Sequence, residues 1–155
     1  MIKRVKIIGA GSIGNHLSNA CRVLGWKVDL CDSDSKALER TKKIIYPSRY
    51  GKWDKEISLF NMKNVPRGCY DVIFIGTPPD IHVDLALRSI EEKPKAICIE
   101  KPVCGPDLKK LSNLLDMLRK NKILALPTRL ISFTYPTLDK NLLSLEQSLL
   151  SPIKK

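Results

Sequence analysis

The chain has no apolar run longer than about five residues, as at Val72–Ile75, so none is long enough to span a bilayer. Its basic opening, MIKRVK, leads only into IIGA before glycines intervene. That is too short for the apolar core of a signal peptide, and the segment reads as a first strand. Histidine is scarce, with two residues, and five cysteines (Cys21, Cys31, Cys69, Cys98, Cys104) show neither C-x-x-C nor histidines at metal-ligand spacing. No metal is expected. The odd count, mostly in apolar patterns, reads as reduced, partly buried thiols of a cytosolic, hence cytoplasmic, protein. Acidic residues are outnumbered 16 to 27, giving a net charge of +11. The basic residues scatter over helix faces (Lys36, Arg40, Lys42, Lys43; Lys109, Lys110, Arg119, Lys120) without interleaved aromatics or a nucleic-acid motif. They read as a solvated surface, or one that draws an anionic ligand, and no nucleic-acid partner is expected.

What remains is globular: 43% hydrophobic, 28% charged, with no repeat or low-complexity tract. At 155 residues a single domain can bury roughly 70% of its unfolded surface. Apolar runs alternate with segments of helical period. RVKIIGAG closes on glycines; SIGNHLSNACRVLG places Ile13, Leu17, Cys21 and Leu24 on one face, with Gly25 at its end. KVDLCD, EISLF, CYDVIFIG, KAICIE and KILALP complete six strands, and helices are expected over SDSKALERTKKII, IHVDLALRSIEE and GPDLKKLSNLLDMLRKN. Residues 46–55 read as an irregular connection. This alternation predicts an α/β fold, a doubly wound, mostly parallel sheet with helices on both faces.

Gly9-Ala-Gly-Ser-Ile-Gly14 fits G-x-G-x-x-G between the first strand and first helix. Gly9 permits a tight turn, Gly11 lets backbone N–H groups approach a pyrophosphate, and Gly14 lets helix and sheet pack closely. Ser12 and Ile13 open the helix whose positive end attracts phosphate. Asp32, 18 residues beyond Gly14 and at the second strand's end, is placed to accept hydrogen bonds from an adenosine ribose. Its carboxylate disfavours a 2′-phosphate, so NAD is the expected cofactor, while neighbouring Ser33 and Arg40 leave room for NADP. Asp34, rather than Asp32, reads as the next helix's cap.

The fourth and fifth strands end at the same sheet edge as the glycine turn, with GTPPDIH (Gly76–His82) and EKP (Glu100–Pro102). Together with GAGSIG and Asp32, these motifs resemble the N-terminal half of the Gfo/Idh/MocA (glucose–fructose oxidoreductase / inositol dehydrogenase) family over residues 4–140. The resemblance implies a Rossmann-type NAD(P)-binding domain over residues 1–127 and an oxidoreductase acting on a sugar, cyclitol or related polyol. It implies that Lys101 is catalytic, binding the substrate oxygen or nicotinamide ribose, with Glu100 orienting it and Pro102 fixing the strand end through a cis bond. Gly76, Thr77 and Pro78 are implied to wall the nicotinamide side. His82 matches a family position but opens a helix, and reads as packing or capping; His16 reads as a surface or packing histidine.

Residues 128–155 resemble the family's crossing segment and the first helix of a second domain, which in relatives covers the cofactor and carries the general base. The expectation is therefore a truncated, cofactor-binding half, inactive alone and meeting a sugar-like substrate only with that second domain. The apolar helix over Leu138–Leu150 is expected to pack back or to drive homo-oligomerisation. A non-enzymatic NAD(H)-sensing module is the alternative, since such domains also carry GxGxxG and an acid but have no need of TPPDIH or EKP.

Overall fold

A computed structural model describes residues 2–105 and 108–128. The crossing segment and helix expected beyond Thr128 lie outside the described residues. Six strands, β1 (Arg4–Ile8), β2 (Lys27–Asp32), β3 (Ile57–Asn61), β4 (Val72–Ile75), β5 (Ala96–Glu100) and β6 (Leu124–Thr128), form one sheet in the order β3-β2-β1-β4-β5-β6. Every pairing is parallel. The order reverses between β1 and β4, which opens a crevice beyond their carboxyl ends.

Helices cover both faces. Helix α1 (Ser12–Val23), α2 (Ser35–Arg40) and α3 (Tyr46–Tyr50) pack on Val5, Ile7, Val28, Leu30 and Phe74. Helix α4 (His82–Ile90) and α5 (Lys109–Asn121) pack on Ile8, Ile73, Ile75, Ile97 and Ile99. Central β4 is buried along its whole length, as a strand covered on both faces must be. Each such side chain contributes about 1.5–3 kcal/mol of burial. The apolar face read for α1 holds: Leu17, Ala20 and Cys21 are buried, with Ile13 and Leu24 packed beside them. Gly25 takes φ +77° where α1 ends, and Asp34 caps α2 by accepting the Lys36 N–H at 2.8 Å. No helix among the described residues is long and apolar enough to cross a membrane.

Two local expectations need correction. The helix read over SDSKALERTKKII is α2 followed by a π-helical stretch, Thr41–Ile45. The connection read as irregular over residues 46–55 begins with α3. Pro47 is the second residue of α3, directly after the π-helical stretch. Tyr46 stacks edge-on against Tyr50 and Trp53 at 4.8 and 5.2 Å, so an aromatic cluster holds the segment helical. Three of the cysteines, Cys21, Cys31 and Cys98, are buried, and all five are free thiols. Burial pushes the thiols of Cys31 and Cys98 up to about 12, leaving them unreactive.

Candidate functional site at the sheet switch point

The glycine turn is set by close backbone approach. Gly9 has φ +107°, and a Cβ there would sit 2.8 Å from the Gly76 carbonyl oxygen. A Cβ on Gly14 would lie 1.9 Å from the Gly9 oxygen, so that position accepts nothing larger. Gly11 differs: its added Cβ would meet no atom within 4 Å, which leaves open space over the start of α1. From beneath, Asn15 donates to the Gly11 carbonyl at 2.8 Å, and Thr41 donates to the Ala10 carbonyl at 2.5 Å. Asn15 also donates to Thr41 at 3.2 Å. Neither brace is marked by the G-x-G-x-x-G pattern, and Thr41 reaches the loop from the π-helical stretch, which no periodicity reveals.

Asp32 joins the second strand to this loop. Its Oδ2 accepts the Ala10 N–H at 2.8 Å and its Oδ1 the Asp34 N–H at 2.9 Å. Each carboxylate oxygen keeps further acceptor capacity. Beside it opens a cavity of about 300 Å³ lined by Gly9, Asp32, Ser33 and Thr77, together with Ile81 and Arg88. Arg40 is not among its lining residues; Arg88 of α4 brings the cation instead. Leu85 and Arg88 line the cavity from α4, with Ile81 of the turn just before it, a contribution legible only once the helix is placed.

The other two turns are tied together. Gly76 continues the β1–β4 pairing by donating to the Ile8 carbonyl at 2.8 Å, next to Gly9. His82 is fully buried, with Nε2 2.6 Å from the Thr77 carbonyl oxygen and Nδ1 2.9 Å from that of Pro102. The packing reading of His82 thus gains a specific content: it links the TPP turn to the EKP turn. The Lys101–Pro102 bond is cis. Lys101 is exposed and forms no ion pair among the described residues. Glu100, implied to orient Lys101, accepts a hydrogen bond from Thr128 at 2.7 Å through one carboxylate oxygen, because β5 and β6 pair with these two residues opposite each other. Ser12 and Pro78 are exposed, Ile13 half-buried, and Gly14 buried against the sheet.

His16 stays on the outer side of α1, within 2.6 Å of the Tyr50 hydroxyl and 3.2 Å of Arg49. Burial, and then the Arg49 charge, hold its pKa below the ordinary histidine value. Arg49 also donates to the Ser12 carbonyl and hydroxyl at 3.1 and 3.0 Å, which sets a cation beside the first turn of α1.

These residues fit a dinucleotide. The space over Gly11 at the start of α1 is open. Two buried oxygens, Thr77 Oγ1 and Glu100 Oε1, have no hydrogen-bond partner among the described residues and lie on the turns that flank the crevice. Sheet order, glycine turn and strand-end acid together define a Rossmann-type dinucleotide-binding domain.

A family model described as an oxidoreductase family with an NAD-binding Rossmann fold matches residues 3–127. The chain belongs to this family, the Gfo/Idh/MocA oxidoreductases, and its cofactor is a nicotinamide dinucleotide. No curated protein matches the chain. Among solved structures it is similar to UDP-N-acetylglucosamine 3-dehydrogenase GnnA from Acidithiobacillus ferrooxidans, at 17% identity and a TM-score of 0.64. That match covers 96% of this chain but 42% of GnnA, so the chain spans less than half of that protein's length. It is also similar to (S)-3-hydroxybutyryl-CoA dehydrogenase PaaH1 from Ralstonia eutropha, at 14% identity and a TM-score of 0.57, covering 98% of this chain and 74% of PaaH1. A Rex-family repressor, RSP, matches at 16% identity and a TM-score of 0.53, over 95% of this chain and 62% of that one. At these identities the likeness is one of fold.

Proposed function

We propose that this chain is the cofactor half of an NAD-dependent oxidoreductase that moves hydride between nicotinamide and a hydroxyl carbon of a sugar, cyclitol or nucleotide-sugar. The observation that carries this reading is the direct linkage of three turns: Gly9 against Gly76, Ala10 to Asp32, and Thr77 to Pro102 through His82. The N–H groups of Gly11, Ser12 and Ile13 open α1 and would bind the pyrophosphate, aided by the helix dipole. Asp32 and Ser33 would take the adenosine ribose, Asp32 by accepting from its hydroxyls. Gly76, Thr77 and Pro78 would wall the nicotinamide side, with Glu100 and Pro102 fixing the turn that presents Lys101.

Bound nicotinamide supplies or accepts the hydride. Lys101 would hydrogen-bond the reacting oxygen and stabilise negative charge developing there. The alcohol proton also needs an acceptor. Both histidines are engaged elsewhere, His82 between two carbonyls and His16 with Tyr50 and Arg49. We therefore assign proton transfer and substrate specificity to a second domain, and expect this chain alone to leave sugars and cyclitols unoxidised.

Calorimetric titration tests the cofactor assignment. One NADH should bind per chain, and NADPH more weakly because its 2′-phosphate meets Asp32. If neither binds, the reading is wrong. A non-enzymatic NAD(H)-sensing module is the second reading; the Rex-family repressor RSP shares the fold. Assembly of this chain that depends on NADH, with no loss of turnover when the EKP lysine of a complete family member is changed, would favour it.

A further inference from the structure

We propose that Arg49 is a side-chain ligand for the cofactor's pyrophosphate, carried to the glycine turn by α3 and not by the G-x-G-x-x-G motif. Its placement stands on contacts within the chain; the ligand rests on the cofactor reading above. Arg49 Nη2 donates to Ser12 Oγ at 3.0 Å, and Nη1 donates to the Ser12 carbonyl at 3.1 Å. Ser12 is the first residue of α1, directly after Gly11, over which the structure leaves open space. The guanidinium therefore stands one hydrogen bond from the residue that opens the helix.

Neighbouring contacts keep it there. Nη1 also lies 3.2 Å from His16 Nε2, and because a guanidinium only donates, that nitrogen accepts. His16 Nδ1 is in turn 2.6 Å from the hydroxyl of Tyr50, the residue after Arg49 in α3. Tyr46 donates to Asn19 of α1 at 3.3 Å and stacks edge-on against Tyr50 and Trp53. Helix α3 is thus fastened to α1 by residues on either side of Arg49.

The guanidinium has donors to spare. It carries five N–H groups. Nη1 commits both of its own to Ser12 and His16, and Nη2 commits one to Ser12. The second Nη2 N–H and the Nε N–H are left without a partner among the described residues. None of the three acceptors is a carboxylate, so within the described residues no ion pair offsets the charge. Phosphate oxygens accept such charged donors well, and a side chain already held loses little freedom on binding one. Arg49 is exposed, so solvent and salt screen the attraction and its contribution is modest.

Calorimetric titration of wild type, Arg49→Gln and Arg49→Lys with NADH, at low and high salt, tests the assignment. Glutamine can still donate to Ser12 but has no charge, whereas lysine keeps the charge without the fork. Arg49→Gln should raise the NADH dissociation constant about fivefold at low salt, a gap that narrows at high salt. Arg49→Lys should bind NADH more tightly than Arg49→Gln. A folded Arg49→Gln that binds like wild type would overturn the proposal alone. So would equal losses in both variants that ignore salt, since Arg49 would then only brace α1. If wild type binds no NADH, the cofactor reading fails and the proposal fails with it.

Discussion

Gly11 and Gly14 belong to one motif but meet opposite surroundings. A side chain on Gly11 enters open space, while one on Gly14 strikes the Gly9 carbonyl. Gly11→Val should therefore keep the melting temperature close to wild type and abolish NADH binding. Gly14→Val should lower the melting temperature sharply, as scanning calorimetry would show. Equal destabilisation by both would mean that Gly11 serves the fold and not the ligand. The motif announced these glycines and Asp32 from the sequence. It could not announce Asn15 or Thr41, because a buried amide and hydroxyl that hold loop carbonyls look like ordinary helix residues until the chain is folded. Arg88 was hidden for the same reason, whereas His82 was visible by its spacing from Thr77 and gained its partners only from the fold.

The strands were legible because β-branched runs bounded by glycine, proline and acid leave few alternatives. The pairing partners of the polar residues within them were not. Alternation along β1 puts Val5 and Ile7 on the α1 side and Arg4, Lys6 and Ile8 on the other. Lys6, only 2% exposed, is held by both Glu92 oxygens at 2.7 Å and lies 4.5 Å from the Tyr70 ring centroid. Glu92 follows α4, 86 residues along the chain, a distance no local pattern bridges. Glu92→Ala leaves a buried ammonium unpaired and should cost about 3–5 kcal/mol in urea unfolding. The Lys6→Met, Glu92→Leu pair should recover most of that loss. A single substitution costing under about 1 kcal/mol would show that water reaches Lys6. The π-helical stretch after α2 likewise escaped the sequence, since its residues continue the helical pattern while their register shifts to bring Thr41 beneath Ala10.

Across the whole molecule, two shifted groups set the same pH trend. His16 has a lowered folded-state pKa, so the unfolded chain takes up its proton first, near the ordinary value of about 6.5. Its contribution is present above that pH and is lost as pH falls towards the folded value. Asp71 is desolvated, yet hydrogen bonds from Lys95 and the Lys3 and Arg4 N–H groups outweigh burial and lower its pKa, so its contribution is also lost in acid. Urea midpoints should fall between pH 7.5 and 5.5, and His16→Gln should flatten part of that slope; an equally steep variant would exclude His16 as a cause. The architecture that carries these groups was readable from alternation and the strand-end motifs, because a parallel sheet that reverses at β1 and β4 must bring those ends together. The central claim is that residues 9–14, 32–33, 76–78 and 100–102 serve one dinucleotide. Backbone amide NMR of the chain titrated with NADH tests it most directly. The account predicts that amides in all four segments shift together while the exposed face of α5 stays fixed. Shifts that spare Lys101, or that cluster away from Gly11, would contradict it.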